Sequence, residues 1–340
     1  MGKQLHRTIP IFIPEQACPA RCVYCNQYLI SGHSTLPTTE EVRHTIEQYL
    51  STIAAGSRVE VGFFGGTFTA LTAEVQYGLL SVVQPYLKRG SVQSVRLSTR
   101  PDYIEQDNLA MLCDMGVQTV ELGVQSLDDE VLRTVERGYD SARVAEAARC
   151  VTDAGLRLGM QMMVGLPGDT PAKSMLTAQK FVEWGAEDVR IYPTLVIEHT
   201  RLAHMYRRGA YAPLTLQQAV EWVSPLLCFF EEKGLHVLRV GLHPTKGFIN
   251  GEDYLAGPFH VAFKDLVRTA IFRDELEKYL AARPELAVAS ELTVWVAEGY
   301  INAAVGHGAT NKRWLMQTHR KVVFREQPSL HHYQVNITTS

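Results

Sequence analysis

Seven short apolar runs, spaced along the first 240 residues, constrain this chain more than any other feature. They are TIPIFI, VEVGFFG, SVRLST, TVELGVQ, LGMQMMVG, DVRIYPTLV and HVLRVGL. Each is rich in β-branched or aromatic residues and ends at Gly, Pro or a polar residue, as strands do. Amphipathic stretches separate them. TTEEVRHTIEQYLSTIA opens with a Thr ahead of two acids, an N-terminal helix signal. DNLAMLCDMG, SARVAEAARCVTDAG, TPAKSMLTAQKFVEWG and TLQQAVEWVSPLLCFFEEKG each close on Gly, the usual helix stop. Strand–helix units of roughly 30 residues build a parallel sheet covered by helices. The near-continuous apolar strands predict burial on both faces. Six or seven such units predict an α/β fold, a closed or partly closed (β/α) TIM-like barrel, with a doubly wound open sheet as the alternative. In both, ligands gather at the carboxyl ends of the strands.

The pattern changes near residue 250. GFINGEDYLAGPFH reads as a loop, followed by a helix (KDLVRTAIFRDELEKYLAA), a strand (ELTVWVAEGYINAAV), a glycine loop (GHGATNKR), a short helix and two strands. This predicts a barrel over 1–250 and a small C-terminal α/β appendage over 251–340. The 340 residues are 46% hydrophobic and 20% charged, enough for a sizeable core. A net charge of −3 rules out a global polycation, so any nucleic-acid contact needs a local basic patch. No run approaches a membrane span, and the first ten residues lack a signal-peptide pattern. The expected compartment is the cytoplasm, with no membrane partner.

Three of the six cysteines, Cys18, Cys22 and Cys25, fall within eight residues as CxxxCxxC, directly after the first strand. Core cysteines by chance are a poor account of that density. A structural zinc site needs a fourth ligand, and no second CxxC is present; Cys113, Cys150 and Cys228 lie in predicted helices, though a His could complete the set. The third reading is a 4Fe–4S cluster held by three thiolates, with one iron left open for a ligand.

With Tyr24 before the last cysteine, this motif resembles the signature of the radical S-adenosylmethionine enzymes. FFGGTFTAL, LSTRPDYI, VELGVQSLDDEVL, RGYD, MVGLPGDT and YPTLVIEHTRL, in that order, resemble the Elongator catalytic subunit family and, more distantly, oxygen-independent coproporphyrinogen oxidases. The resemblance covers roughly residues 8–245. It implies a partial barrel that binds a 4Fe–4S cluster on Cys18, Cys22 and Cys25 and S-adenosylmethionine beside it. Reductive cleavage of the cofactor would give a 5′-deoxyadenosyl radical, and a flavodoxin- or ferredoxin-like electron donor is expected.

The same resemblance assigns cofactor-side roles. Gly65 and Gly66 would let backbone approach the methionine amino group; Thr67 stands where many relatives carry Glu. Ser98 aligns where the porphyrinogen oxidases tend to have a carboxylate. Arg100 is either a cofactor contact or part of a strand-to-helix turn with Pro101 and Asp102. Gln125 and Arg137, read as separated by about three helical turns, would sit near ribose and carboxylate; the bland alternative for Arg137 is a surface ion pair with Glu136 or Asp140. Tyr139 occupies a site often His in relatives. Gln161 is an isolated polar residue in an apolar strand, and Leu166, in Gly165–Gly168, would border adenine. Tyr192, Glu198, Arg239 and His243 fall near later strand ends; they either face substrate or are structural.

From Gly306 to Glu326 there are five cations (312, 313, 320, 321 and 325) against Glu326, beside a Gly306-His307-Gly308 loop expected to offer flexible amides to phosphates. A solvated helix start is the competing account. The Elongator resemblance implies transfer RNA as partner. About 90 residues after the barrel are too few for the acetyltransferase domain of that family, so autonomous acetyl-CoA-dependent chemistry is not expected. The predicted function is radical S-adenosylmethionine chemistry on tRNA or other RNA. Radical chemistry on a small metabolite or tetrapyrrole, and a zinc-binding RNA module without turnover, are the competitors.

Overall fold

The computed structural model describes residues 5–14, 18, 22–32, 35–242 and 246–339. His243 lies outside them. Seven parallel strands form one sheet in sequential order: β1 (His6–Ile13), β2 (Arg58–Gly65), β3 (Ser94–Thr99), β4 (Val117–Gln125), β5 (Arg157–Val164), β6 (Asp188–Pro193) and, past a short β7 (Val196–Ile197), β8 (His236–Val240). Sequential order is barrel topology, not the reversed order of a doubly wound sheet. β8 does not pair with β1, so the barrel is partial.

Local chemistry explains the crossovers. Helix Thr39–Thr52 starts at a full capping box: Thr38 Oγ1 accepts from Glu41 N, and Glu41 accepts from Thr38 N. Helix Pro171–Glu183 has Thr170 as cap and Pro at its first position. Helix Leu216–Glu232 carries a second capping box, Thr215 with Gln218. Cys113, Cys150 and Cys228 lie in helices Gln106–Asp114, Ser141–Asp153 and Leu216–Glu232. Helix Ala73–Lys88 also crosses between strands.

One face of the strands packs Val59, Val61, Phe63, Val95, Leu97, Val120, Leu122, Val189 and Ile191 under the helices. The other face is buried as well, as expected, but it is lined by charged side chains rather than apolar ones. Arg96 donates to Glu60 on β2 (2.8 Å), Glu121 on β4 (2.8 Å) and Asp188 on β6 (3.1 Å). In a flat sheet β3 and β6 stand about 14 Å apart, so Arg96 reaches Asp188 only because the sheet curls around it. Arg190 and Arg157 complete the network on Glu121 and Asp188.

Three further expectations are corrected. DVRIYPTLV is not one strand: it breaks after Pro193, where Thr194 turns its hydroxyl onto the Val164 carbonyl (2.8 Å). The stretch 247–260 is not a plain loop; helix Lys246–Asn250 runs into it, and it holds β9 (Tyr254–Ala256), which pairs antiparallel with β7. ELTVWVAEGYINAAV ends as a strand at Val296. A turn with Gly299 at φ +79° then leads into helix Ile301–Val305.

A three-stranded sheet, β11 (Lys321–Glu326), β10 (Glu291–Val296), β12 (Val335–Thr339), completes the chain. Helix Phe263–Ala281 belongs to both halves. Its Lys264 donates to the Val237 carbonyl and Arg268 pairs with Glu231 (2.8 Å), while Phe272 stacks edge-on against Tyr333. Among the described residues no helix is long and apolar enough to cross a membrane.

Candidate active site

The carboxyl ends of β1 to β5 surround a cavity of roughly 110 Å³. Its lining includes Cys18, Cys22 and Cys25, the Gly65-Gly66-Thr67 turn after β2, Ser98 and Arg100 after β3, Gln125 ending β4, and Gln161 in β5. Tyr24 and Arg137 complete it. Twelve of the thirteen residues assigned above to the cluster or its cofactor therefore line one cavity. Leu166 does not: it is buried among Val23, Tyr24, Val131, Val135 and Val196. Gln27, Thr99 and Gly123 also line the cavity and escaped the sequence reading. The position of Gln27, two residues after the last motif cysteine, was the available signal.

All six cysteines are free thiols. Cys18 Sγ lies 3.2 Å from Thr67 Oγ1, so Thr67 touches a motif cysteine from a buried position. Cys22 is buried, and Arg137 Nη1 donates to its sulfur at 3.0 Å. Burial penalises the Cys22 thiolate, yet Arg137 and Arg100 outweigh it and hold the thiol below its ordinary value. Burial pushes the Tyr24 phenol well up, so it stays neutral and accepts from Arg137 (3.2 Å). Among the described residues no three His, Cys, Asp or Glu side chains converge as ligands of a single ion. Lining one cavity is a looser arrangement, and a cube that places each thiolate on a different iron asks only for that.

Gly65 sits at φ +106°, and a Cβ there would lie 2.4 Å from the Ile13 carbonyl oxygen. Gly66 N donates to that same oxygen (2.7 Å). The glycine at 65 is thus required first by the closeness of β1. Gln125 ends β4 at a register shift with φ +72°, a rare conformation for a residue with a side chain. Its Oε1 is buried without a hydrogen-bond partner, and such an atom in a cavity wall calls for a donor. Gln161 donates to Ser98 Oγ (3.2 Å) and Glu121 Oε2 (3.1 Å), which joins the cavity to the charge network below.

The strand-to-helix turn read for Arg100 is present, and the same side chain also lines the cavity. It pairs with Asp102 (2.8 Å) at that turn. The surface ion pair considered for Arg137 is wrong. Arg137 is 4% exposed, Glu136 pairs with Arg201, and Asp140 caps helix Ser141–Asp153. Nor do three helical turns separate it from Gln125; only the six-residue helix Asp129–Thr134 intervenes. Tyr139 supports Arg137 from below, accepting from Nε (2.8 Å) and donating to the Gly123 carbonyl (2.9 Å).

The remaining candidates lie elsewhere. Glu198 is held by both its oxygens on Arg207 (2.8 Å). Arg239 is level with Arg190 across β6 and β8, and burial lowers its pKa. Tyr192 is raised by burial, against the pull of Arg190. In the appendage, Arg320 and Lys321 both pair with Glu291. The His307 amide donates to Thr269 (2.8 Å), so the Gly306–Gly308 loop is tied to helix Phe263–Ala281 instead of offering that amide freely.

A parallel half-barrel with its thiols and a shaped cavity at the carboxyl edge defines an enzyme of the β/α-barrel class. Comparison with known proteins specifies which. The chain belongs to the radical SAM superfamily: the Radical SAM superfamily model matches residues 12–179, and the Radical_SAM C-terminal domain follows over 186–273. It is a radical SAM enzyme. It is similar to a tRNA uridine(34) acetyltransferase of Dehalococcoides mccartyi, 29% identical over 251 residues, covering 62% of this chain and 55% of that protein. Elongator complex protein 3 of Homo sapiens is 28% identical over 207 residues, 55% of this chain and 38% of that one. The fold matches the archaeal Methanocaldococcus infernus Elp3 with a TM-score of 0.60 at 20% identity, over 83% of this chain and 64% of that one. The chain spans about half the length of the first of these curated relatives.

Proposed function

We propose that Cys18, Cys22 and Cys25 hold a 4Fe–4S cluster, that the adjoining cavity holds S-adenosylmethionine, and that the resulting radical modifies tRNA. One observation carries the site: three thiols, a turn built on Gly65 and Gly66, and the orphaned Gln125 oxygen face one small cavity at the strand ends. When reduced, the cluster supplies the electron that splits the cofactor's carbon–sulfur bond. The chain's own residues do the rest. Gln125 Oε1 accepts from a cofactor N–H or hydroxyl. The Gly66 and Thr67 turn borders the polar end. Ser98 and Gln161, hydrogen-bonded to each other, fix the floor. Burial of the wall excludes water, which preserves a reactive carbon radical.

The RNA reading rests on the similarity to tRNA uridine(34) acetyltransferases and Elongator complex protein 3. Residues 251–340 are proposed as a separate substrate-side module, linked to the barrel by helix Phe263–Ala281. Anaerobic reconstitution of the full chain tests the site: about four irons and four sulfides per chain are expected, and near none in Cys22→Ala. Formation of 5′-deoxyadenosine should rise on adding tRNA and not on adding a porphyrinogen. One zinc per chain, or stimulation by the porphyrinogen alone, refutes this reading.

A further inference from the structure

Among the described residues, Trp184, Trp222 and Trp314 pack partly buried against the main core, and Trp295 does not. Trp295 lies on β10, the central strand of the C-terminal sheet, where successive side chains face opposite ways. Leu292, Val294 and Val296 turn inward and are fully buried, in one cluster with Val267, Ile271 and Phe272 of helix Phe263–Ala281. Trp295 therefore stands on the opposite face. It is half-buried there, level with Arg325 on β11 and Asn336 on β12.

The indole Nε1 donates to Thr338 Oγ1 on β12 (3.2 Å). Tryptophan has no other polar atom, so the side chain has only its apolar ring left to offer. A half-exposed ring of that size gains most from a flat partner stacked on it. The charges beside it are unbalanced. Arg320 and Lys321 share Glu291 (2.5 and 3.1 Å), whereas Arg325 is exposed and has no salt bridge among the described residues. Three cations thus meet one carboxylate along this edge. Glu326 is one residue out of phase with Arg325 and accepts from the Gly299 amide (2.9 Å). Residues 299–340 carry five Lys or Arg against that one acid.

We propose that the open face of this sheet binds single-stranded RNA, with a base stacked on Trp295 and the adjoining phosphate held by Arg325. The inference deepens the tRNA reading given above and rests on it. An unpaired base can offer a free face to an aromatic side chain, which a base inside a duplex cannot. Stacking on the ring and ion pairing with flanking cations act together, and neither depends on base identity. Lys321 extends the positive edge along β11, at the Glu291 end of the face. An acidic protein would meet the charge, yet a planar ring whose N–H is already engaged matches a base better.

The test is fluorescence anisotropy of a labelled single-stranded RNA of about twelve mixed-sequence nucleotides, titrated with the full chain at about 50 to 200 mM salt. Unlabelled tRNA and a duplex of the same length serve as competitors. Trp295→Ala should weaken binding of the single strand at least about fivefold. Trp295→Phe, which keeps a ring, should recover at least half of that loss. Arg325→Gln should weaken binding of all sequences alike and lower the salt slope by about 0.7, the share of one phosphate. If Trp295→Ala does not fold, as read by circular dichroism, Arg325→Gln at its exposed position carries the test. Wild-type affinity in the folded variants overturns this inference, as does equal loss in Trp295→Phe and Trp295→Ala. So does a duplex that competes as well as the single strand. A wild-type chain that binds tRNA but not the single strand overturns this inference and leaves the tRNA reading standing. One that binds neither overturns both.

Discussion

Replacing Arg96 with Met probes the charge network inside the half-barrel. Its three carboxylate partners are 1 to 4% exposed, and they do not suffer equally. Glu121 keeps Arg190 at 2.9 Å and Gln161 at 3.1 Å; Asp188 keeps Arg157 at 2.7 Å. Glu60 keeps only the Thr8 and Ser94 hydroxyls, both at 3.4 Å. The variant therefore strands one buried carboxylate. Breaking a buried pair on one side costs about 3–5 kcal/mol, most of it the penalty of the uncompensated charge. At roughly 2.1 cal/mol/K per residue the unfolding entropy of a chain this size is about 0.7 kcal/mol/K, so Tm should fall by about 4–7 °C. Thermal unfolding of the full chain, followed by circular dichroism at pH 7, gives the value. Adding Glu60→Gln to Arg96→Met should restore about half the loss, because it removes the stranded charge; the same change in wild type should be destabilising. A drop below 1 °C, or a double variant less stable than either single one, would refute the assignment of the cost to Glu60.

Gly65→Ala should destabilise the chain by about 3 kcal/mol or more, since the new Cβ meets a backbone oxygen at 2.4 Å and φ is +106°; a matching Tm and iron content to wild type would contradict this. Thr67→Val removes the hydroxyl on Cys18 and should slow cluster uptake severalfold while changing Tm by less than 2 °C, about 1 kcal/mol, as read by iron incorporation over time. Asp169 accepts from Gly165 N, Thr170 N and Ser174 Oγ, but burial dominates and pushes its pKa up to about 6. A carboxyl raised on folding holds its proton more tightly in the native state, so its contribution is greatest below pH 4 and is lost as pH rises toward 6. The full shift corresponds to about 3 kcal/mol, and about 1–2 kcal/mol is expected once solvent at the loop is allowed for. The Tm of wild type minus that of Asp169→Asn should fall across this window; a flat difference would show that Asp169 is not perturbed.

Strand and helix positions could be read directly because they depend on local periodicity and caps. β3 matches its apolar run residue for residue, and Thr38 with Glu41 forms the cap its spacing promised. The cavity wall was legible for a related reason: most of its members sit at strand ends, where a barrel must bring them together. Leu166 lies outside that lining because the Gly165–Gly168 turn directs it into a neighbouring apolar cluster, a choice that turn residues do not reveal. The strand expected over 291–305 failed because Ile301–Val305 has no local helix signal and gains its conformation against helix Phe263–Ala281.

By itself, then, the order of residues determined the parallel sheet, the helices around it, and the grouping of three thiols after the first strand. These follow from side-chain alternation, capping and spacing, all of which act over a few residues. Only the tertiary structure decided the charges. Glu60, Arg96, Glu121, Asp188 and Arg190 are scattered over 130 residues, and Arg137 lies 115 residues from Cys22. Curling the sheet brings each against its counterpart. Coulomb interactions of that kind depend on distance through space and on the exclusion of water, and no pattern along the chain encodes either.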